Sequence, residues 1–240
     1  MPVLLRLLLA AVGGLGLAGA FEPLGWAFLA PVGVAALVVA VRGLSLRRAW
    51  LPGLVLGVAF FFVLQVWMRA VGTDAWIGLS TLEALFFAPL GTAVALLTRS
   101  RLWPVTVACA WVAVETVRSS WPFSGMPWGR LSYAVADTPW AAGLPWYGFA
   151  GVSFLLALTG TCLAWLLLER PSWLKAGAVA TALAVTTLVP VEVGWDPRPH
   201  DSVVVAAVQG DVPGSGDDVV SGAQARQRRT AGLGSQGTLS

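Results

Sequence analysis

The chain has 240 residues, of which 57% are hydrophobic and 11% are charged, with a formal net charge of +3 and a mean hydropathy of +0.77. Because a soluble domain typically carries about 25% charged residues, this composition argues strongly against an ordinary soluble domain. It also excludes disordered, collagen-like and disulfide-rich secreted proteins. It predicts an all-α membrane protein.

Seven apolar stretches approach the roughly 20 residues that a membrane-spanning helix needs. The first stretch also resembles a secretory signal peptide, with Arg6 before an apolar run and small residues at 18–20. Six further stretches favour a first helix that is retained. They predict a bundle of about seven transmembrane helices over residues 1–191, with spans near 3–20, 24–41, 49–71, 75–97, 103–118, 142–168 and 173–191.

Basic residues are concentrated in alternate connections between the predicted spans. Arg6 and the connections near 42–48, 99–101 and 170–175 fall on one side of the bundle. The positive-inside rule makes this side cytoplasmic, so the N-terminus is predicted inside and everything after Val191 outside. Many of the tryptophans fall near span ends, where an indole anchors a helix at the headgroup level.

The character of the chain changes after the seventh span. Residues 192–201 form a polar, Pro-containing linker, and Ser202–Gln209 has the β-branched run of a short buried strand. A strand without a sheet leaves its backbone groups unpaired, so it resembles the first element of a further domain. Residues 214–240 have almost no large apolar side chain and are predicted to be a disordered tail.

Polar residues inside the predicted spans are candidates for function, because burying them in a bilayer is costly. Gln65, Glu83 and Glu115 are such residues, and Arg118 follows Glu115 at a spacing that permits an ion pair on one helix face. Two interpretations remain open. The pair either holds the end of the fifth span or forms a polar site for a lipid headgroup or acyl ester.

The segment Ser119–Arg130 is the most informative connection. Its two prolines and two glycines exclude a regular helix, while its large side chains, such as Trp121 and Trp128, are too apolar for a solvated loop. We expect the segment to lie in the membrane interface or to dip against the bundle. It acts either as a lipid-handling surface or as an interfacial anchor.

No cofactor, metal or nucleic-acid partner is expected. Cys109 and Cys162 lie in apolar stretches and are interpreted as small buried side chains, and His200 lies in the linker, so a zinc site has too few ligands. The positive charges are scattered and form no basic stripe before the extreme C-terminus.

Taken in order, several of these residues resemble the membrane part of apolipoprotein N-acyltransferase, the bacterial enzyme that adds the third acyl chain to lipoproteins. The resemblance covers about residues 1–213. The matching stretches are Phe21-Glu22-Pro23, Gln65-Val66-Trp67, Glu115-Thr116-Val117-Arg118, Met126-Pro127-Trp128 followed by Tyr133, and Val208–Pro213, which is similar to the opening strand of the family's nitrilase-like domain. The candidate substrate- or lipid-binding residues are Trp67, Glu115, Arg118, Pro127, Trp128 and Tyr133.

The resemblance implies an activity, two substrates and a location in the bacterial cytoplasmic membrane. In the family, the Cys of a Glu-Lys-Cys triad takes an acyl chain from a phospholipid and passes it to the α-amino group of a diacylglyceryl-cysteine, which is covalent ping-pong catalysis. The expected partners are therefore a phospholipid acyl donor and a diacylglyceryl lipoprotein acceptor. The membrane bundle would give both lateral access.

The chain departs from the family's pattern after the first strand. A nitrilase-like domain needs roughly 250 residues, whereas no Glu or Lys follows Asp211 and no Cys follows Cys162. No catalytic residue is therefore assigned. We expect the end after about Pro213 to be truncated or frame-shifted and the chain to be inactive alone.

Two other functions stay open. One is a non-catalytic membrane scaffold or lipid-binding module for a partner enzyme. The other is a small transporter, which the scarcity of ionisable groups and the lack of a matching pair of broken helices disfavour. The predicted strand Ser202–Gln209 favours the acyltransferase family, because neither alternative needs it.

Overall fold

The computed structural model describes residues 1–196, and this range is built from helices and turns, as the composition predicts. The predicted strand and tail lie outside the described residues. Helices occur in all seven predicted segments, with the fourth divided in two. The α-helices are α1 (Val3–Gly19), α2 (Leu29–Val41), α3 (Leu46–Leu64), α4 (Thr73–Leu85), α5 (Phe87–Leu97), α6 (Trp103–Arg118), α7 (Leu144–Glu169) and α8 (Trp173–Val193), and short 3-10 helices cover Val66–Ala70, Leu131–Val135 and Pro139–Gly143.

Within residues 1–196, four helical stretches are long and apolar enough to cross a membrane. They are α3, the α4–α5 pair, α7 with the turn before it, and α8. The apolar helices α1 and α2 have 17 and 13 residues, which at 1.5 Å per residue corresponds to roughly 26 and 20 Å, less than a hydrocarbon core of about 30 Å. The chain is a helical membrane protein, and seven complete crossings remain a prediction.

The observed boundaries differ from the predicted spans in three places. α2 begins at Leu29, after a turn in which Gly25 has φ +63°. α3 ends at Leu64 and a 3-10 helix follows, where a continuous span to residue 71 was expected. The break between α4 and α5 has a local cause, because in an uninterrupted helix the ring of Pro89 would clash with the carbonyl four residues earlier, at Leu85.

The helices approach one another closely through glycines. A Cβ placed on Gly14 of α1 would lie 2.3 Å from the carbonyl oxygen of Leu56 in α3, and one on Gly53 of α3 would lie 2.1 Å from that of Phe87 in α5. Such contacts are typical of membrane helices, which associate by close packing of small residues. They place α1, α3 and α5 side by side, with α2 against α7 and α7 against α6.

The interior of the bundle is aromatic at its centre. Phe60 and Phe61 of α3 pack against Phe87 of α5, which in turn meets the ring of Trp111 edge-on with the centroids 5.4 Å apart. By contrast, only 6% of the apolar stretch of α8 is buried. α8 contacts the turn Pro139–Gly143 and α7, so most of its apolar surface is left exposed.

Candidate functional site

A buried ion pair joins α6 to α4. Nη1 of Arg118 lies 2.8 Å from a carboxylate oxygen of Glu83, and the two side chains are 0% and 2% exposed. The guanidinium also lies over the ring of Phe61, 5.2 Å from its centroid. The predicted partner of Arg118 was Glu115, one turn earlier, so this prediction is wrong in detail. The pair links two helices, whereas the sequence spacing predicted one within a single helix.

Arg118 also binds the connection that follows its own helix. Its Nη1 donates to the carbonyl oxygens of Met126, at 3.1 Å, and of Trp128, at 2.6 Å. Since a guanidinium that is fully buried has few alternative positions, these bonds fix the backbone of the connection against the bundle. Ser119–Arg130 is thus irregular, as predicted, and is tied down at its second half.

Glu115 binds partners other than Arg118. Its Oε1 accepts hydrogen bonds from the backbone N–H of Leu131, at 2.9 Å, and from the indole of Trp111, at 3.1 Å. One residue further on, the N–H of Ser132 donates to the hydroxyl of Ser153 in α7. These contacts anchor the 3-10 helix Leu131–Val135, which carries Tyr133.

The end of α3 is held by a second polar contact. Gln65 is fully buried, and its side-chain carbonyl accepts a hydrogen bond of 3.2 Å from the hydroxyl of Ser80 in α4. This contact accounts for the polar residue that the sequence places near the end of the third span. It also fixes the start of the 3-10 helix that carries Trp67.

The two anchored segments meet at a pocket of about 270 Å³. The rings of Trp67 and Trp128 lie 5.8 Å apart at 58°, and both side chains are 46% exposed. Close approach depends on Gly129, which has φ +79° and whose Cβ would lie 2.8 Å from Leu64. The lining residues are Phe21, Glu22, Leu64, Trp67, Trp128, Gly129 and Tyr133.

Three of the six predicted site residues therefore line one pocket. Trp67, Trp128 and Tyr133 contribute side chains to it, while Glu115 and Arg118 lie buried behind it and hold its walls. Pro127 is exposed and is not among the lining residues. Four lining residues were missed. Phe21 and Glu22 lie in a stretch that matches the family but were not predicted as site residues, and Leu64 and Gly129 carry no distinctive chemistry.

The tip of the connection projects away from the bundle. Phe123 and Ser124 both have left-handed backbone angles, φ +54° and +74°, and the ring of Phe123 is 93% exposed. Trp121 beside it is 64% exposed and meets Phe86 edge-on. Exposed aromatic rings at a helix end are typical of the membrane interface, and the interfacial position of this segment stays a prediction.

A larger, mostly apolar groove lies elsewhere, between α6, α7 and α8. Its volume is about 380 Å³, and its walls include Leu155, Leu158 and Leu183, with Arg101 at one end. Cys162 also lines it, whereas Cys109 is exposed on α6. Among residues 1–196, no group of His, Cys, Asp and Glu is arranged to hold a metal ion.

Comparison with known proteins identifies the family. The family described as "Apolipoprotein N-acyltransferase N-terminal domain" matches residues 13–162, a range that contains all six predicted site residues. The chain belongs to the apolipoprotein N-acyltransferase family. The resemblance seen in the sequence is thereby confirmed at the level of the family.

Individual relatives carry the same name. The apolipoprotein N-acyltransferase of Methylococcus capsulatus is 33% identical over 86% of this chain and 44% of its own length. That of Mycolicibacterium smegmatis is 35% identical over 84% of this chain and 37% of its own length. That of Photobacterium profundum is 27% identical over 87% of this chain and 43% of its own length. The chain thus spans less than half the length of these curated relatives.

Proposed function

We propose that this chain provides the membrane portion of an apolipoprotein N-acyltransferase and that the pocket between Trp67 and Trp128 receives the lipid-anchored acceptor. The observation that carries the proposal is that buried polar contacts anchor both pocket walls, the Glu83–Arg118 pair on the Trp128 side and the Gln65–Ser80 hydrogen bond on the Trp67 side. A wall that only anchored the protein in the interface would not need its backbone fixed by Arg118.

The chemistry of the pocket suits a diacylglyceryl-cysteine. Its aromatic walls match a glycerol and thioether stem at the depth where indoles prefer to lie. Glu22 is the carboxylate in the lining, and it is placed to pair with the protonated α-amino group of the acceptor. Two exposed indoles beside it add attraction for a cation.

The distribution of charge supports an outward-facing pocket. Arg6, Arg42, Arg47 and Arg48 lie at the opposite end of the helices from the pocket, at the starts of α1 and α3 and the end of α2. By the positive-inside rule that end is cytoplasmic. The N-terminus is then inside, and the pocket opens toward the extracytoplasmic leaflet of the bacterial cytoplasmic membrane.

Acyl transfer needs an activated nucleophile, and the described residues do not place one at the pocket. Cys109 and Cys162 lie on α6 and α7, away from the residues that line it. We propose that residues 1–196 bind and orient the acceptor, with the phospholipid donor entering from the bilayer. The isolated chain is expected to bind a lipopeptide without acylating it.

Binding of a synthetic diacylglyceryl-cysteinyl peptide to the purified chain in detergent tests the proposal. Trp128→Ala is expected to weaken binding about tenfold or more, in line with the loss of a buried aromatic contact, and Glu22→Gln is expected to weaken it because the ammonium loses its partner. Trp26→Ala removes an exposed indole that does not line the pocket and serves as the matched control.

An N-acetylated peptide completes the experiment, because it has no ammonium group. It should bind the wild-type chain and Glu22→Gln with equal, weaker affinity. If Glu22→Gln weakened both peptides alike, the ammonium would not be bound by Glu22. If Trp26→Ala weakened binding as much as Trp128→Ala, the pocket would not be the site, and a general lipid-binding scaffold would be the better account.

A further inference from the structure

A second pocket lies at the other end of α1 and α3. It has a volume of about 280 Å³ and is bounded by Arg6, Arg47, Arg48 and Trp50 together with apolar side chains such as Leu7 and Leu51. On α3, Pro52 lines this pocket and Leu64 lines the one at Trp67, so at 1.5 Å per residue about 18 Å of helix separates them. The two pockets are therefore distinct.

One of the three guanidinium groups is held rigidly. Nη1 of Arg6 donates to the carbonyl oxygens of Ala40, at 2.7 Å, and of Arg42, at 2.9 Å. Both acceptors lie at the end of α2, where a helix carries partial negative charge. These bonds keep the cation of Arg6 at the mouth of the pocket without neutralising it with a carboxylate.

The other two guanidinium groups have no carboxylate partner within residues 1–196. The two salt bridges in this range are Arg42 with Glu169 and Arg118 with Glu83, so Glu169, the acidic residue at the end of α7, is already bound by Arg42. Arg47 and Arg48 are both exposed. The pocket thus carries three positive charges and no carboxylate in its lining.

We propose that this pocket binds the phosphate headgroup of an anionic phospholipid from the leaflet at the N-terminal end of the chain. Guanidinium groups bind phosphate oxygens in pairs of charge-assisted hydrogen bonds, and basic pockets between membrane helices on the cytoplasmic side bind anionic headgroups. A soluble phosphate carries the same kind of negative charge as the headgroup, so the experiment must distinguish the two.

The walls favour the lipid over the soluble anion. Val3, Leu7 and Leu51 continue the pocket toward the apolar surface of α1 and α3, where the first acyl carbons would lie. Val3 is 58% exposed and Trp50 is 44% exposed, which gives the pocket an open, apolar side toward the bilayer. An acyl chain gains from burying this surface, whereas a free phosphate does not.

Native mass spectrometry of the full chain in detergent, with added phosphatidylglycerol, tests the proposal. Arg47→Gln/Arg48→Gln is expected to weaken binding of the first phosphatidylglycerol about tenfold or more, whereas Arg47→Lys/Arg48→Lys should lose much less because the charges remain. Arg170→Gln/Lys175→Gln removes two exposed charges from the same end of the molecule, outside this pocket and outside the groove at Arg101, and should leave binding unchanged.

Two probes identify the source of the phosphate. Phosphatidylethanolamine should bind wild type and Arg47→Gln/Arg48→Gln equally, since its headgroup has no net charge. Glycerol 3-phosphate should not displace phosphatidylglycerol; displacement at equal concentration would show a soluble-anion site and overturn the proposal. Equal losses in both charge-removing variants, or no loss in either, would also overturn it. Neither variant changes a residue of the Trp67–Trp128 pocket, so failure here leaves the proposed function standing.

Discussion

Glu83→Leu and Arg118→Met, made singly and together, remove the ion pair that holds the Trp128 wall of the pocket. Each single variant leaves one charge unpaired among side chains that are 0% and 2% exposed, and breaking a buried pair in this way costs about 3–5 kcal/mol. The double variant removes both charges of this pair. Like Arg118→Met, it loses the attraction of Arg118 for the buried Glu115 carboxylate and the contact with the ring of Phe61. It also loses the donor to the carbonyls of Met126 and Trp128, which costs about 2–3 kcal/mol.

The expected order is therefore unusual, because the double variant is more stable than Arg118→Met. The loss in the double variant should fall below the sum of the two single losses by at least about 2 kcal/mol. Equilibrium unfolding of the purified protein in mixed micelles of increasing SDS content, followed by tryptophan fluorescence, measures the three differences. Additive losses would show that Glu83 and Arg118 do not interact and would refute the account of how the pocket is held.

Three further predictions concern packing and polar contacts. Gly53→Ala should destabilise the protein by about 1–3 kcal/mol, because its Cβ would collide with the carbonyl of Phe87. Gly16→Ala is the control: nothing lies within 4 Å of its Cβ, so it should be neutral or stabilise α1 by up to about 1 kcal/mol. Thermal unfolding in detergent compares the two variants, and equal losses of stability would contradict the close approach of α3 and α5. Gly129→Ala should weaken lipopeptide binding, since its Cβ would meet Leu64 and its φ is +79°, and unchanged binding would contradict the position of that wall. Glu169→Ala should lower the stability by about 1–2 kcal/mol, because Arg42 and the indoles of Trp103 and Trp165 lose their shared acceptor. Glu169→Gln should lower it less, since the amide oxygen still accepts hydrogen bonds. The same unfolding assay measures both, and a larger loss in Glu169→Gln would contradict this hydrogen-bond network.

The helices could be predicted because apolar length alone decides them. Each predicted span contains a helix, and the errors lie at ends set by particular residues. Pro89 divides the fourth span at Phe86, and the turn around Gly25 delays α2. In both cases the proline or glycine that interrupts the helix is visible in the sequence, but hydropathy averaged over about 20 residues does not detect it.

The sequence predicted several residues of the site but not the contacts between their side chains. Trp67, Trp128 and Tyr133 were grouped by their order along the chain, and the structure brings them to one pocket. The partner of Arg118 was predicted from helical spacing, which identifies neighbours on one helix. Glu83 lies on another helix, and its contact depends on how α4 packs against α6. Contacts between two helices depend on how the helices pack, and residue spacing within one helix gives no information about that packing.

Photo-crosslinking with a diacylglyceryl-cysteinyl peptide that carries a diazirine next to its glycerol is the most direct test of the central claim. The account predicts that mass spectrometry finds the label on the segments around Leu64–Trp67 and Trp128–Tyr133, and that Trp128→Ala abolishes it there. Labelling spread along the exposed face of α8, unchanged in Trp128→Ala, would contradict a lipid-binding pocket between Trp67 and Trp128.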